Sequence, residues 1–375
     1  RMYPGMLHAR RLRGVAVFGL VAAAAAVAGH VWPQLAGIPE QWSIDYAAPL
    51  NSALNSFITT FSVQIEQLKK LIAFYFMMPL RLGLAQTISP FTWGIEFTPG
   101  LKIVYAIVSL AVPGACIVAG RRRLAITMAW FFLLIYFGFT QLPWVVVAGA
   151  IGLLAWQTGG LRSLLMCLAG TGFILVSGLW PKALLSMYLC TAAVLISFLL
   201  GTPIGVAAAR YDSVSRIVRP VNDALQTMPL FVFLIPVLMV FGIGEFAALV
   251  AFVMYAIVPA IRYTEHGLRG LPEAPIEAAT AMGCTPWQRL VNVELPLALP
   301  EILLGLNQTI MFALAMLVIA ALVGTSDLGQ VIYKSLSEAD FGAGITAGLS
   351  MAIIALMADR IIQSWARGRK EALGL

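Results

Sequence analysis

A chain of 375 residues with 60% hydrophobic and only 11% charged side chains cannot cover the surface of a water-soluble fold, because soluble domains carry about 25% charged residues. Apolar runs such as 183–209 and 302–324 reach the roughly 20 residues that a bilayer crossing needs. The composition defines an all-α polytopic membrane protein and excludes soluble enzymes, nucleic-acid binders and disulfide-stapled secreted domains, and the net charge of +7 speaks first to orientation.

In chain order, ten candidate transmembrane helices are 14–33, 102–120, 124–140, 142–157, 161–180, 184–208, 229–243, 246–262, 301–324 and 344–363. The chain opens on Arg1, as a trimmed start would, and Arg10, Arg11 and Arg13 precede an apolar stretch laid out like a signal peptide. The reading preferred here is a retained first span, since no convincing small-residue cleavage site follows. With the N-terminus cytoplasmic and the loops alternating, six of the 24 Lys and Arg residues lie outside: Lys69, Lys70, Arg81, Lys102, Lys182 and Lys334. The remainder lie on the cytoplasmic segments, as the positive-inside rule requires, so both termini are expected in the cytoplasm of an inner-membrane protein.

Between the first two spans, Leu50, Leu54, Phe57, Ile58 and Phe61 recur at helical spacing among polar residues. That stripe predicts an amphipathic helix along the outer membrane face, over about 45–85. A buried re-entrant pair is the competing arrangement. In the sixth span, Gly201, Pro203 and Gly205 predict a bend, which gating would use and which packing alone would also explain. Asp359 and Arg360, near the inner end of the last span, are expected to snorkel to the interface. The acidic stretch 326–342 reads as a solvated outer loop, with a basic patch on an extracytoplasmic receptor as the alternative.

Chemistry-bearing constellations are sparse. Cys116, Cys167, Cys190 and Cys284 have no metal or redox spacing, and His8, His30 and His266 form no zinc pattern. No phosphate-loop motif occurs. No catalytic residue, metal site or cofactor of the chain's own is expected.

The polar stretch 271–288 is the informative one. Pro272 and Pro275 suit a first helical turn, Ala278, Ala279 and Ala281 favour helix, and Gly283 supplies a left-handed stop. Thr285, Pro286 and Gln288 then read as a capping box opening a second helix that runs towards Leu295-Pro296. The first helix, about 12 Å long, is too short to span. Ala279 and Gly283 share a face, where small residues allow close approach of another surface; an ordinary surface helix is the other reading.

Glu277-Ala278-Ala279, Gly283 four residues after Ala279, then nine residues and Val293-Glu294-Leu295-Pro296 resembles the EAA---G---------I-LP signature of membrane subunits of bacterial ATP-binding-cassette importers. All spacings match, and Val293 stands where isoleucine is usual. Residues 223–236, Gly242-Ile243-Gly244, 305–309 and Leu328-Gly329-Gln330 resemble the glycine betaine and proline betaine group, over about 142–367 and most closely over 184–362. The resemblance implies a type I importer permease core over 141–375 with a cytoplasmic coupling loop at 263–300. Residues 1–140 are an N-terminal extension. It further implies that Glu277, Ala278, Ala279, Gly283, Thr285, Leu295 and Pro296 form the coupling site for a cytoplasmic ATPase. The implied partners are that ATPase, which carries ATP and magnesium, an extracytoplasmic solute-binding protein and a second permease subunit, likewise in lipid. Nucleic acid is not among them.

A pathway for a small zwitterion needs polar or aromatic groups at membrane depth. Asn307, Gln308 and Met311 on the ninth span, with Phe231, Phe233 and Tyr255, are the candidates, aromatic faces being suited to a quaternary ammonium group. For Asn307 and Gln308 an interhelical hydrogen bond is the competing role, and for the aromatic residues ordinary packing. The expected function is passage of a compatible solute such as glycine betaine, choline, proline betaine or trimethylamine oxide. An ion-coupled secondary transporter, an importer permease for an amino acid, or a membrane-embedded enzyme are the alternatives. The enzyme would need paired His, Asp or Glu inside the spans.

Overall fold

In the computed structural model, residues 19–20, 23, 47–120 and 122–372 are described, and all regular structure among them is helical. The first candidate span, His8, His30 and the leading arginines lie almost wholly outside them. Residues 1–61 and 62–375 form two units, each taken by itself. In the first, α1 (Ala47–Thr60) is helical, as the spacing predicts, and buries no residue, with Leu50 and Phe57 exposed.

The second unit opens with α2 (Ser62–Ile72), a π turn (Ala73–Met77), α3 (Met78–Leu82) and α4 (Leu84–Thr87). Then α5 (Pro99–Val118) and α6 (Arg122–Gln141) pair, the Tyr105 hydroxyl donating to the Phe132 carbonyl at 2.6 Å. The segment Trp144–Val176 is two helices, α7 and α8, meeting at Gly160, which has φ 69° and ψ −161°. A Cβ placed on Gly152 would lie 3.1 Å from Leu164 and 3.4 Å from Leu168. In a straight helix those residues are about 18–24 Å apart. The chain therefore folds back at Gly160, and the two spans predicted there are an antiparallel pair with Arg162 at its turn.

The core is α9 (Trp180–Arg210), α12 (Glu245–Arg269) and α15 (Leu295–Ala320), with α17 (Phe341–Ala372) laid against α15 and α8. Between α9 and α12 run α10 (Asp212–Thr227) and α11 (Leu230–Phe241), bent by 102°. Alpha-helix α11 has 12 residues, about 18 Å. Alone it is too short for the roughly 30 Å hydrocarbon core, and with α10 it forms a bent pair, a broken span or a re-entrant loop by length and composition. Short helices α13 (Glu273–Ala281) and α14 (Pro286–Arg289) precede α15, and α16 (Leu328–Ser337) precedes α17.

Small residues bring the core helices together. A Cβ on Gly201 would sit 2.8 Å from Ala260, and one on Gly205 2.7 Å from the Ile261 carbonyl. Helix α9 stays continuous across Gly201, Pro203 and Gly205, and the two glycines allow its close approach to α12. The stretch expected as a solvated loop holds α16, capped by Asp327, which is only 2% exposed and accepts from the Gln330 amide at 3.2 Å.

Candidate functional site

The signature residues build one end of the helical bundle. Helix α13 ends in a pair of reverse bonds, the Cys284 amide to the Ala279 carbonyl at 3.1 Å and the Gly283 amide to the Thr280 carbonyl at 3.0 Å. That closure needs a left-handed residue after the last turn, and Gly283 supplies it with φ 79°. Thr285 then caps α14: its hydroxyl accepts from the Gln288 amide at 3.3 Å, and the Gln288 side chain accepts from the Thr285 amide at 2.9 Å. Instead of ending near Pro296, the helix continues through a π turn (Leu290–Glu294) into α15.

This local chemistry exposes Glu277, Ala278, Gly283, Thr285 and Pro296. Met282 and Trp287, 78% and 70% exposed, stand beside them. Such large apolar side chains flanked by polar ones are the composition of a docking surface. Ala279 differs from the expectation: it is 1% exposed. Its small side chain faces inward, so it sets how closely α13 lies against α14 and the π turn. Leu295 is half-buried.

Three residues outside the predicted site fix this surface to the spans. The Glu294 carboxylate, on a residue 9% exposed, takes Arg289 at 2.7 Å on one oxygen and Arg210 at 3.3 Å on the other. Arg210 also donates to the Pro286 carbonyl at 3.0 Å. The end of α9, the cap of α14 and the π turn are thereby joined. Glu294 lay within the signature and Arg210 ended a span; only the fold brings them together. Nearby, Glu265 accepts from Ser215 at 2.7 Å and pairs with Arg219 at 2.9 Å and Arg269 at 3.1 Å, while Arg269 reaches Asp212 at 2.7 Å and Arg262 pairs with Asp223. Five basic residues assigned to one membrane face, Arg210, Arg219, Arg262, Arg269 and Arg289, are thus paired around the ends of α9 and α12, against which α10 packs.

The proposed pathway residues separate. Phe231 is 54% exposed and Met311 37% exposed, whereas Phe233 is buried at 3%. Phe233 stacks on Tyr255 with centroids 6.4 Å apart, and Tyr255 on Phe312 at 4.8 Å, an aromatic ladder within the core. Gln308 is half-buried. Asn307 is 4% exposed and its amide donates to Asp359 at 2.7 Å, the interhelical bond that was the competing role. Asp359 also accepts from Gln363 at 2.6 Å. It is therefore tied inward between α15 and α17 and does not snorkel, while Arg360 beside it is exposed. Among the described residues no group of His, Cys, Asp and Glu has metal-binding geometry.

The family described as the binding-protein-dependent transport system inner membrane component matches residues 201–370, spanning the whole surface just described. The glycine betaine transport system permease protein OpuAB of Bacillus subtilis is 40% identical over 227 residues, 60% of this chain and 80% of that protein. This chain belongs to that family of membrane components. The trimethylamine N-oxide transport system permease protein TmoV of Pelagibacter ubique is 44% identical over 232 residues, 62% of this chain but 32% of that protein. The glycine betaine/proline betaine permease ProW of Escherichia coli is 37% identical over 234 residues, 61% of this chain and 66% of its own. The chain thus spans about a third of the TmoV relative and most of OpuAB. Its polytopic helical architecture is that of an inner-membrane component of this family.

Proposed function

We propose that this chain is the transmembrane permease subunit of an ATP-driven importer of compatible solutes, small methylated ammonium compounds of the glycine betaine, proline betaine, carnitine and trimethylamine N-oxide class. The observation that carries the reading is the exposed α13–α14 surface, Glu277, Ala278, Met282, Gly283 and Trp287, held to the spans through Glu294. A rigidly mounted surface can pass motion between a partner and the transmembrane helices, which a surface on a free loop cannot. The names of the relatives supply the solute class.

In this reading α13 is a coupling helix that docks on a cytoplasmic ATPase, and both chain termini lie in the cytoplasm. Two permease copies, two ATPases and a solute-binding protein form the working assembly. ATP and magnesium sit on the ATPase, and this chain holds the path and catalyses no hydrolysis. Residues 1–140 are an extension to a permease core at 141–375. Phe231, Gln308 and Met311 are the more exposed candidates for the path, whereas Asn307 and Phe233 belong to its packed wall.

The test is reconstitution of the chain with its ATPase and binding protein in proteoliposomes. Radiolabelled glycine betaine, trimethylamine N-oxide or choline should accumulate only with internal ATP. Accumulation by the chain alone, driven by an ion gradient, would establish a secondary carrier instead.

A further inference from the structure

Residues 62–82 precede the stretch matched by the family, 201–370; Met77 is buried in the core, and two polar contacts from the same segment meet at one short turn. Helix α11 ends at Phe241, and Gly242-Ile243-Gly244 lead into α12 at Glu245. The Lys69 ammonium donates to the Phe241 carbonyl at 2.8 Å. Arg81 pairs with the Glu245 carboxylate at 2.7 Å. One side of the turn is therefore held through a helix-end carbonyl and the other through the first side chain of the next helix.

The two contacts differ in chemistry but act on the same joint. The last carbonyls of a helix lack intrahelical partners, and a lysine there satisfies one and complements the negative end of the helix dipole. Glu245 stands at the opposite, positive end, of α12, where a carboxylate is favoured, and Arg81 completes it. On the core side the Gly244 amide donates to the Val323 carbonyl at 2.9 Å. The clamping segment is itself fixed, since the Thr140 hydroxyl donates to the Arg81 carbonyl at 2.9 Å, tying α3 to α6.

We infer that Lys69 and Arg81 are positioning residues for the α11–α12 turn: the segment 62–82 clamps the turn from both sides and sets the angle at which α11 enters the bundle. Helix α11 is short, and besides the two clamp contacts its outer end is held by the Phe241–Phe246 ring contact at 5.3 Å and the Gly244–Val323 bond. It also carries Phe231 and Phe233. Movement of α11 against α12 must break the Lys69 contact, or carry the segment with it and break the Arg81–Glu245 pair.

The experiment uses the full chain in its assembled complex, with the partly exposed Cys116 and Cys284 replaced by Ser and a nitroxide on Ile243→Cys, whose native side chain is 78% exposed. In K69M/R81Q the spin-label spectrum should narrow, with correlation time shortened at least twofold, and solute uptake should fall at least fivefold. R81E/E245R, which rebuilds the pair with its charges exchanged, should recover most of both. K69M alone, the smallest change, should narrow the spectrum by an intermediate amount. Unchanged line shape in K69M and K69M/R81Q overturns the clamp, as does narrowing in R81E/E245R equal to that in K69M/R81Q. The uptake arm rests on the permease reading, and the line shape does not: absence of uptake by the unaltered complex would refute that reading alone.

Discussion

The Arg210 guanidinium lies 3.3 Å from the Glu294 carboxylate, and through this pair the end of α9 is joined to the turn that begins α15, 84 residues further along the chain. Arg289 completes the arrangement from the other side at 2.7 Å. One nearly buried carboxylate thus balances two arginines directly beneath the exposed α13–α14 surface.

Glu294→Gln removes that balance. Breaking a buried pair leaves the remaining charges uncompensated, at about 3–5 kcal/mol when burial is complete; with both arginines partly exposed, about 2 kcal/mol is expected. Thermal unfolding in detergent checks the stability. In reconstituted complexes, solute-stimulated ATPase activity should fall on the order of tenfold, within the range of typical coupling energies. Stimulation within twofold of the unaltered protein would show that the pair is not part of the coupling path.

Gly283 separates conformation from contact. A Cβ there meets nothing within 4 Å, but φ is 79°, and a left-handed L-residue costs about 1–2 kcal/mol. Gly283→Ala should therefore insert normally and retain much of its uptake. Gly283→Asp adds a charge to the exposed face and should abolish uptake while leaving the protein inserted. Normal uptake by the aspartate variant counts against docking at α13.

At Gly305 space decides. A Cβ would lie 2.6 Å from the Tyr263 Cβ on α12, so Gly305→Val overpacks the α12–α15 contact at about 1–3 kcal/mol. Gly348, on α17, has nothing within 4 Å, and Gly348→Ala should be neutral or stabilise by up to about 1 kcal/mol. Melting temperatures of the two variants in the same detergent should move in opposite directions or differ by several degrees.

Asp327 carries a pH dependence. Burial pushes its carboxyl above the ordinary aspartate range, against bonds from Gln330 and Thr325 that favour the ionised form. A raised folded value contributes stability that is present below the unfolded value, about 3.9, and lost as pH rises through the folded one. Asp327→Asn keeps an oxygen for the Gln330 amide and carries no titrating charge. It should be the more stable protein at pH 8, with the difference shrinking towards pH 4, measured by thermal unfolding across that range.

What could be read in the sequence follows from the range of the interactions. The stop at Gly283 and the cap at Thr285 are made by bonds spanning three to five residues, so their spacing was sufficient to place them. The apolar runs gave the long helices, since length and hydropathy are local properties of the chain. The burial of Ala279 was not legible because small residues serve inward and outward faces equally. The Asn307–Asp359 bond crosses 52 residues, and neither partner announces the other. Helix α11 read as a span by hydropathy, which reports apolar character but not that the chain turns by 102° just before it.

The π turn at 290–294 leaves no gap between α14 and α15, so residues 286–323 run as one helix of 38 residues, about 57 Å along its axis. Such a rod is a lever. Trp287 rides on one end, and at the other the Val323 carbonyl receives the Gly244 amide. A tilt of about 5° displaces one tip relative to the other by about 5 Å at that length, comparable with a full helical turn. In the proposed permease, a small rotation imposed at the Trp287 end would arrive enlarged at the joint beside Gly244.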